Sequence, residues 1–225
     1  MALRGVARIL GLGVLAVGLS GCALFGVFRS EQREPWRAAV AEHCRASGAV
    51  QPSAFVRPRR SVEGPGICGV EQPFTVTAGS GGAVAFSAPA ILDCPMVAGT
   101  DRWIDGTVQP AAYALFGQPV VSLTIAGSYS CRGRNGASKG PLSEHAFANA
   151  LDVSAFTLAD GRTITVLDGW GGAGDEQTFL RAAHRGACTT FSTVIGPDGD
   201  RHHRDHLHLD LARYGRQGKI HRYCG

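Results

Sequence analysis

Seven cysteines, at Cys22, Cys44, Cys68, Cys94, Cys131, Cys188 and Cys224, constrain this chain more than any other feature. No two stand at C-x-x-C spacing, which disfavours a zinc ribbon or a thioredoxin-type pair. An even set would read as a disulfide framework in an oxidising compartment, but seven is odd, so one cysteine needs its own explanation. The rest of the composition suits a framework around an ordinary core. A chain of 225 residues is enough for one domain, and 44% are hydrophobic. Only 18% are charged, below the roughly 25% of average domains, which excludes a disordered chain. The 31 glycines follow no three-residue period, so collagen is excluded and a loop-rich fold expected. A net charge of +4, carried mostly by scattered arginines without a basic run, gives no reason to expect nucleic acid as a partner.

Residues 1–21 read as a secretory signal. Arg4 and Arg8 open it, and the apolar stretch over residues 9–19 is too short to span a bilayer comfortably. Leu19-Ser20-Gly21-Cys22 resembles the lipobox of bacterial lipoproteins, in which the cysteine becomes the lipid-bearing first residue after cleavage. The resemblance implies an exported lipoprotein held to a membrane through Cys22. Ala23, in place of Asp, favours the periplasmic face of the outer membrane over the inner membrane. Setting Cys22 aside leaves six cysteines and an expectation of three structural disulfides; fifteen pairings are open and the sequence does not choose among them.

Residues 22–34 read as a tether, 35–66 as an N-terminal helix with a Pro/Gly-rich lead-in, and 67–225 as one domain with no repeat or linker. Trp36, Val40 and Cys44 recur at helical spacing after Pro35, which predicts a helix over 35–45. Pro52, Pro58 and Pro65 make 46–66 a loop. A strand is expected at 74–77, a glycine-rich turn at 78–82, and a mainly helical stretch at 88–117, broken near Pro95 and before Pro110 and closed by Gly117. Strands follow at 120–129, 151–158, 163–166, 191–195 and 206–211, with a helix at 176–187. Ala159-Asp160-Gly161-Arg162 marks a hairpin. The class is α+β: a small, mostly antiparallel sheet with flanking helices.

Chemistry concentrates in two places. In Arg201-His202-His203-Arg204-Asp205-His206-Leu207-His208-Leu209-Asp210, a strand puts His206 and His208 on one face and Leu207 and Leu209 on the other. Two imidazoles beside a carboxylate suit a metal or a general base, while a solvated basic loop is the plainer reading. In Ser143-Glu144-His145-Ala146-Phe147-Ala148-Asn149-Ala150-Leu151-Asp152, His145 and Asp152 would stand about 10.5 Å apart along a straight helix. Sharing one ion then requires a bend between them. The plainer reading makes Ser143 a helix cap and Asp152 an exposed strand start. Trp170 among its glycines reads as a packed loop anchor, Asp175 and Glu176 as helix N-terminal charge, and His184 and His221 as packing or surface residues. Neither Ser128 nor Ser143 sits in a nucleophile elbow.

Taken together, Ser143-x-His145-x6-Asp152 and Asp205-His206-x-His208 resemble the zinc peptidase superfamily of D-Ala-D-Ala carboxypeptidases, lysostaphin-type enzymes and the hedgehog fold. His203-x-x-His206-x-His208 is similar to the corresponding run of penicillin-insensitive murein endopeptidases. Gly127-Ser128-Tyr129-Ser130-Cys131-Arg132, Ser143-Glu144-His145-Ala146, Phe179-Leu180-Arg181 and Asp205-His206-Leu207-His208-Leu209-Asp210 resemble the bacterial extensin-like C-terminal family over residues 66–225. The resemblance implies zinc held by His145, Asp152 and His208 with a fourth position open. It implies His206 as general base or transition-state stabiliser, oriented by Asp205, with Arg132 (Arg134 as the lesser choice) binding a carbonyl oxygen or carboxylate and His203 supporting the site or touching substrate. Two departures stand out: Ala148 replaces the superfamily's usual Gly, and Asp205 stands where some relatives have a Glu base.

The expectation is a lipid-anchored, zinc-dependent hydrolase of peptidoglycan peptide cross-links, an endopeptidase in preference to a carboxypeptidase. The alternative is a metal-binding or wall-binding module of the same fold without turnover. Nothing in the sequence indicates an oligomeric state.

Overall fold

Among the described residues the chain forms eleven short strands: β1 (Val56–Pro58), β2 (Ser61–Glu63), β3 (Gly69–Glu71), β4 (Phe74–Gly79), β5 (Val84–Leu92), β6 (Val120–Gly127), β7 (Ala150–Leu158), β8 (Thr163–Thr165), β9 (Thr193–Ile195), β10 (Leu207–Asp210) and β11 (Tyr223–Cys224). Nine of them share one sheet in the order β1-β4-β5-β6-β7-β10-β9-β11, with β8 on β7, and β2 and β3 form a separate ribbon. The β5–β6 and β9–β11 pairs are parallel and the other joins of the large sheet antiparallel. The helices are α1 (Pro35–Ala46), α2 (Cys94–Trp103), α3 (Gln109–Phe116), α4 (Val166–Gly169) and α5 (Gly174–Thr190). The structure, a computed structural model, describes residues 1–2, 33–214 and 218–225. Cys22, almost all of the expected signal and most of the tether lie outside the described residues. The described residues from Arg33 onward form one compact unit, and no helix among the described residues is long and apolar enough to cross a membrane.

The fold is mixed α/β, with a larger sheet than the small one expected. Three strands that were not expected, β1, β5 and β11, account for the difference. Residues 88–92, expected as helix, complete β5; their Ala-Pro-Ala-Ile-Leu composition has weak strand propensity, yet Ala90 and Leu92 are fully buried against β4. Pro89 falls between the paired positions Ala85 and Ala90, so its missing N–H costs no ladder bond. Residues 56–58, expected as loop, pair with β4, leaving Pro58 on an edge strand where proline is tolerated. The proposed break before Pro110 is a five-residue π-turn, Ile104–Val108, which carries α2 into α3 without interruption. Gly117 ends α3 in the left-handed region, at φ 69°, as its position in the sequence suggested.

The core lies between the sheet and the pair α2 and α5. Trp103, Phe156, Phe179 and Phe191 are fully buried there, with ring centroids 6.0 Å apart for Trp103–Phe156 and 5.1 Å for Phe156–Phe179, both edge-on. Trp103 Nε1 donates to the Ala183 carbonyl at 2.9 Å, so its one polar atom is satisfied.

Strand β7 serves this core and the opposite face at once. Leu151 and Val153 are fully buried, and so are Phe156 and Leu158, so the two-residue alternation slips between them. The slip is a bulge: Ala155 opposes Thr124 and Val153 opposes Ile125, leaving Ser154 without an opposite residue. Phe156 therefore enters the core while Asp152, four residues earlier, points the other way. Strand β10 matches this register. Leu207 and Leu209 lie opposite Val153 and Leu151 in the core, and His208 lies opposite Asp152.

All six framework cysteines are paired, as expected. Cys44–Cys94 ties α1 to the start of α2, Cys68–Cys131 ties the residue before β3 to the loop after β6, and Cys188–Cys224 ties α5 to β11. The last pair lies next to His184; with both sulfurs in a disulfide, those three residues offer no metal site.

Candidate metal centre

The bend needed between His145 and Asp152 is a single 3-10 turn, Glu144–Phe147. Ser143 caps it by accepting from the His145 N–H, and Ala148 ends it in the left-handed region at φ 53°, ψ 27°. The chain then reverses into β7. A left-handed residue is where glycine carries no penalty; here Ala148, fully buried, adopts that conformation. Asp152 is buried inside β7, so the reading of an exposed strand start is corrected.

Three donors converge. His145 Nε2 is 3.1 Å from Asp152 Oδ2 and 3.2 Å from His208 Nδ1, and His208 Nδ1 is 2.8 Å from Asp152 Oδ1. Ligands bound tetrahedrally at 2.0–2.1 Å stand about 3.3 Å apart, so this triangle is close to the size one zinc ion needs. The outward nitrogens are held as well. His145 Nδ1 lies 2.5 Å from the Ser128 carbonyl, which only accepts, so Nδ1 carries the proton and Nε2 presents its lone pair to the centre. His208 Nε2 lies 3.2 Å from Asp210 Oδ2, leaving Nδ1 for the centre. Imidazoles fixed from behind by a carbonyl and a carboxylate are the usual support of bound zinc. The donor set therefore fits a zinc ion, with two nitrogens and one carboxylate.

Without a metal, His208 and Asp152 form a charged pair. Burial opposes a charged His208, but hydrogen bonds to Asp152 and Asp210 outweigh it and push its pKa up to about 9. Burial likewise opposes the Asp152 carboxylate, and the bonds from His145 and His208 overcome it, holding the group well below the ordinary carboxylate range.

The remaining expected residues surround this triangle. His206 ends the loop before β10 instead of lying in the strand, yet its Nε2 is 3.7 Å from Asp152 Oδ1, while its Nδ1 bonds Asp205 at 2.8 Å. His203 bonds Asp200 at 2.7 Å, and its ring is 5.1 Å from that of His206. Burial lowers the His203 pKa despite that carboxylate. Arg132 Nη2 is 3.8 Å from Asp152 Oδ2 with its side chain 38% exposed. Arg132, His145, His203 and His208 line a cleft of about 360 Å³. Trp170 lies outside it, buried, with Nε1 donating to Asp198.

Sequence reasoning missed four contributors. Asp210 sits two residues beyond His208 on the same strand face, a period-two signal that was available. The Ser128 carbonyl has no sequence signature. Gly127 lies opposite Asp152, and a Cβ there would stand 2.6 Å from Asp152 Oδ2, so glycine leaves the space that the carboxylate fills. Glu144, inside a motif quoted for its histidine, is an anchor: Arg37 of α1 grips it with two bonds of 2.6 and 2.9 Å, and Asn149 Nδ2 donates to it at 2.6 Å. This buried fork holds the His145 turn against the first helix.

A family described as extensin-like protein C-terminus matches residues 42–224. No curated protein and no solved structure matches the chain.

Proposed function

Because the chain belongs to the extensin-like C-terminal family, we propose that it is a zinc-dependent hydrolase of peptidoglycan peptide cross-links, related to the D-Ala-D-Ala carboxypeptidase, lysostaphin and hedgehog superfamily. The observation that carries the reading is the closed triangle of His145 Nε2, Asp152 and His208 Nδ1, with both outward ring nitrogens already engaged. Zinc held by these three would supply Lewis acidity at a peptide carbonyl and a more acidic water.

The protein's own groups supply the remaining chemistry. Asp205 orients His206 so that Nε2 faces the Asp152 side of the centre, where it can take a proton and hand it to a leaving amine. The Asp205 carboxylate stabilises the ring once charged. Arg132, beside Asp152 but part-exposed, has N–H groups free to donate to a substrate oxygen as negative charge develops there. His203, braced by Asp200, lines the cleft next to His206 and is placed to touch substrate.

The three disulfides support action outside the cytoplasm, and the lipobox-like run supports attachment through Cys22 on the periplasmic face of the outer membrane. A second reading, a metal-binding or wall-binding module without turnover, is favoured by one observation. The residue three before His208 is Asp205, whose carboxylate is committed to His206. One experiment decides between them: zinc stoichiometry and release of peptide fragments from purified sacculi, for wild type and His208→Ala. Hydrolysis by wild type alone supports the enzyme. Zinc at one per chain with no hydrolysis supports the metal-binding module, and no zinc with no hydrolysis ends both the enzyme and the metal-binding module.

A further inference from the structure

The cleft over the triangle continues into a second compartment of about 320 Å³, and the two share Arg134, Glu144 and Tyr214 as lining. Its charge is uneven. Arg37, Arg134 and Arg213 face Glu34 and Glu144, and both carboxylates are taken by Arg37, at 2.7 Å for Glu34 and 2.6 Å for Glu144. Among the described residues, Arg134 and Arg213 have no carboxylate within 4.0 Å. Each instead lies over an aromatic ring, Arg134 at 4.4 Å from the centre of Tyr214 and Arg213 at 5.3 Å from the centre of Trp36.

The rings hold the two guanidinium groups in place, and with no carboxylate on either one their N–H donors are open to a ligand. A planar carboxylate meets the edge of a guanidinium with two parallel bonds. We propose that this compartment is a subsite for a free carboxylate of a peptide lying across the metal cleft, gripped by Arg134 with Arg213 in support, so that the protein selects acidic peptides. The proposal rests on reading the cleft as a peptide site.

The test uses the full chain with zinc present. Two wall-type peptides, identical except that one has its free carboxylates amidated, are made with the scissile amide N-methylated and titrated in by calorimetry. The same pair with an ordinary amide is assayed for cleavage. Wild type is expected to bind the acidic peptide at least tenfold more tightly. Arg134→Ala and Arg213→Ala each reduce that preference with zinc stoichiometry and circular dichroism unchanged, and Arg134→Lys keeps part of it. Equal binding of the two peptides by wild type, or a full preference in both alanine variants, overturns the subsite. Preferential binding without cleavage leaves the subsite standing and removes hydrolysis. Cleavage of both peptides with equal affinity does the reverse.

Discussion

His208 and Asp152 face each other across the β7–β10 ladder, with Nδ1 and Oδ1 2.8 Å apart and both side chains buried. Each depends on the other in the absence of metal. His208 is flanked by Asp152 and Asp210, and Asp152 by His145 and His208, so replacing Asp152 or His208 takes from the other one of its two buried partners.

Added zinc raises the melting temperature of the wild-type chain, by about 4 kcal/mol of stability at a thousandfold excess over Kd. His208→Ala and Asp152→Asn abolish that rise. Scanning calorimetry with and without zinc checks it, and equal shifts in wild type and His208→Ala would place the ion elsewhere.

Gly127→Ala tests the space behind Asp152. The new methyl would stand 2.6 Å from Asp152 Oδ2, so the carboxylate must move. Zinc affinity falls at least tenfold, while stability drops by about 1–3 kcal/mol, as for other overpacked sites. Unchanged affinity in a metal competition titration would show that Asp152 is not held by this contact.

Ala148→Gly tests the left-handed residue that ends the His145 turn. Relieving a left-handed alanine gains about 1 kcal/mol. Losing its buried methyl forfeits about 0.8 kcal/mol. The variant is therefore expected within about 1 kcal/mol of wild type by urea denaturation, with zinc affinity intact.

Asp93 gives the pH prediction. It caps α2 from a buried position, and burial, only partly offset by the Cys94 N–H and nearby arginines, raises its pKa from 3.8 to about 6. The folded state holds this proton more tightly than the unfolded chain. Stability from Asp93 is thus fully present below about pH 4 and is lost as pH rises through about 6. The change is about 3 kcal/mol at most. Asp93→Asn, which can still cap the helix, flattens this part of the stability–pH curve; an unchanged slope between pH 4 and 6 would contradict the assignment.

Replacing Cys44 and Cys94 by serine opens a link between residues 50 apart in sequence. The chain-entropy estimate for a loop of that length is about 4 kcal/mol. Because α1 also carries Arg37, the double variant loosens the His145 turn as well. Its zinc affinity falls together with its stability, whereas serine at Cys188 and Cys224 lowers stability with less effect on zinc.

What could be read beforehand followed from local pattern. Helix α5, the β7–β8 hairpin and β6 announce themselves by periodicity and turn residues, within a few residues of their ends. Strand β5 did not, because Ala88, Pro89 and Ala90 have a composition that only tertiary pairing turns into a strand. At the site, the histidines and Asp152 were visible through family resemblance, and Asp205 beside His206 through adjacency. The contacts that aim them were not. Arg37 meets Glu144 across 107 positions, and the Ser128 carbonyl is a backbone atom any residue could supply.

The unopposed Ser154 has a consequence for how such a chain can change. On the Leu151 side of it, odd-numbered residues belong to the core; on the Phe156 side, even-numbered ones do. Side-chain replacements at Ser154 alter neither assignment. Removing that single position would leave Leu151, Val153, Phe156 and Leu158 in strict two-residue alternation on the core face, with Asp152 still on the other. Removing Thr157 instead would turn Leu158 outward. Ser154 is therefore the place where β7 can lose a residue and still keep its core and its donor on their own faces.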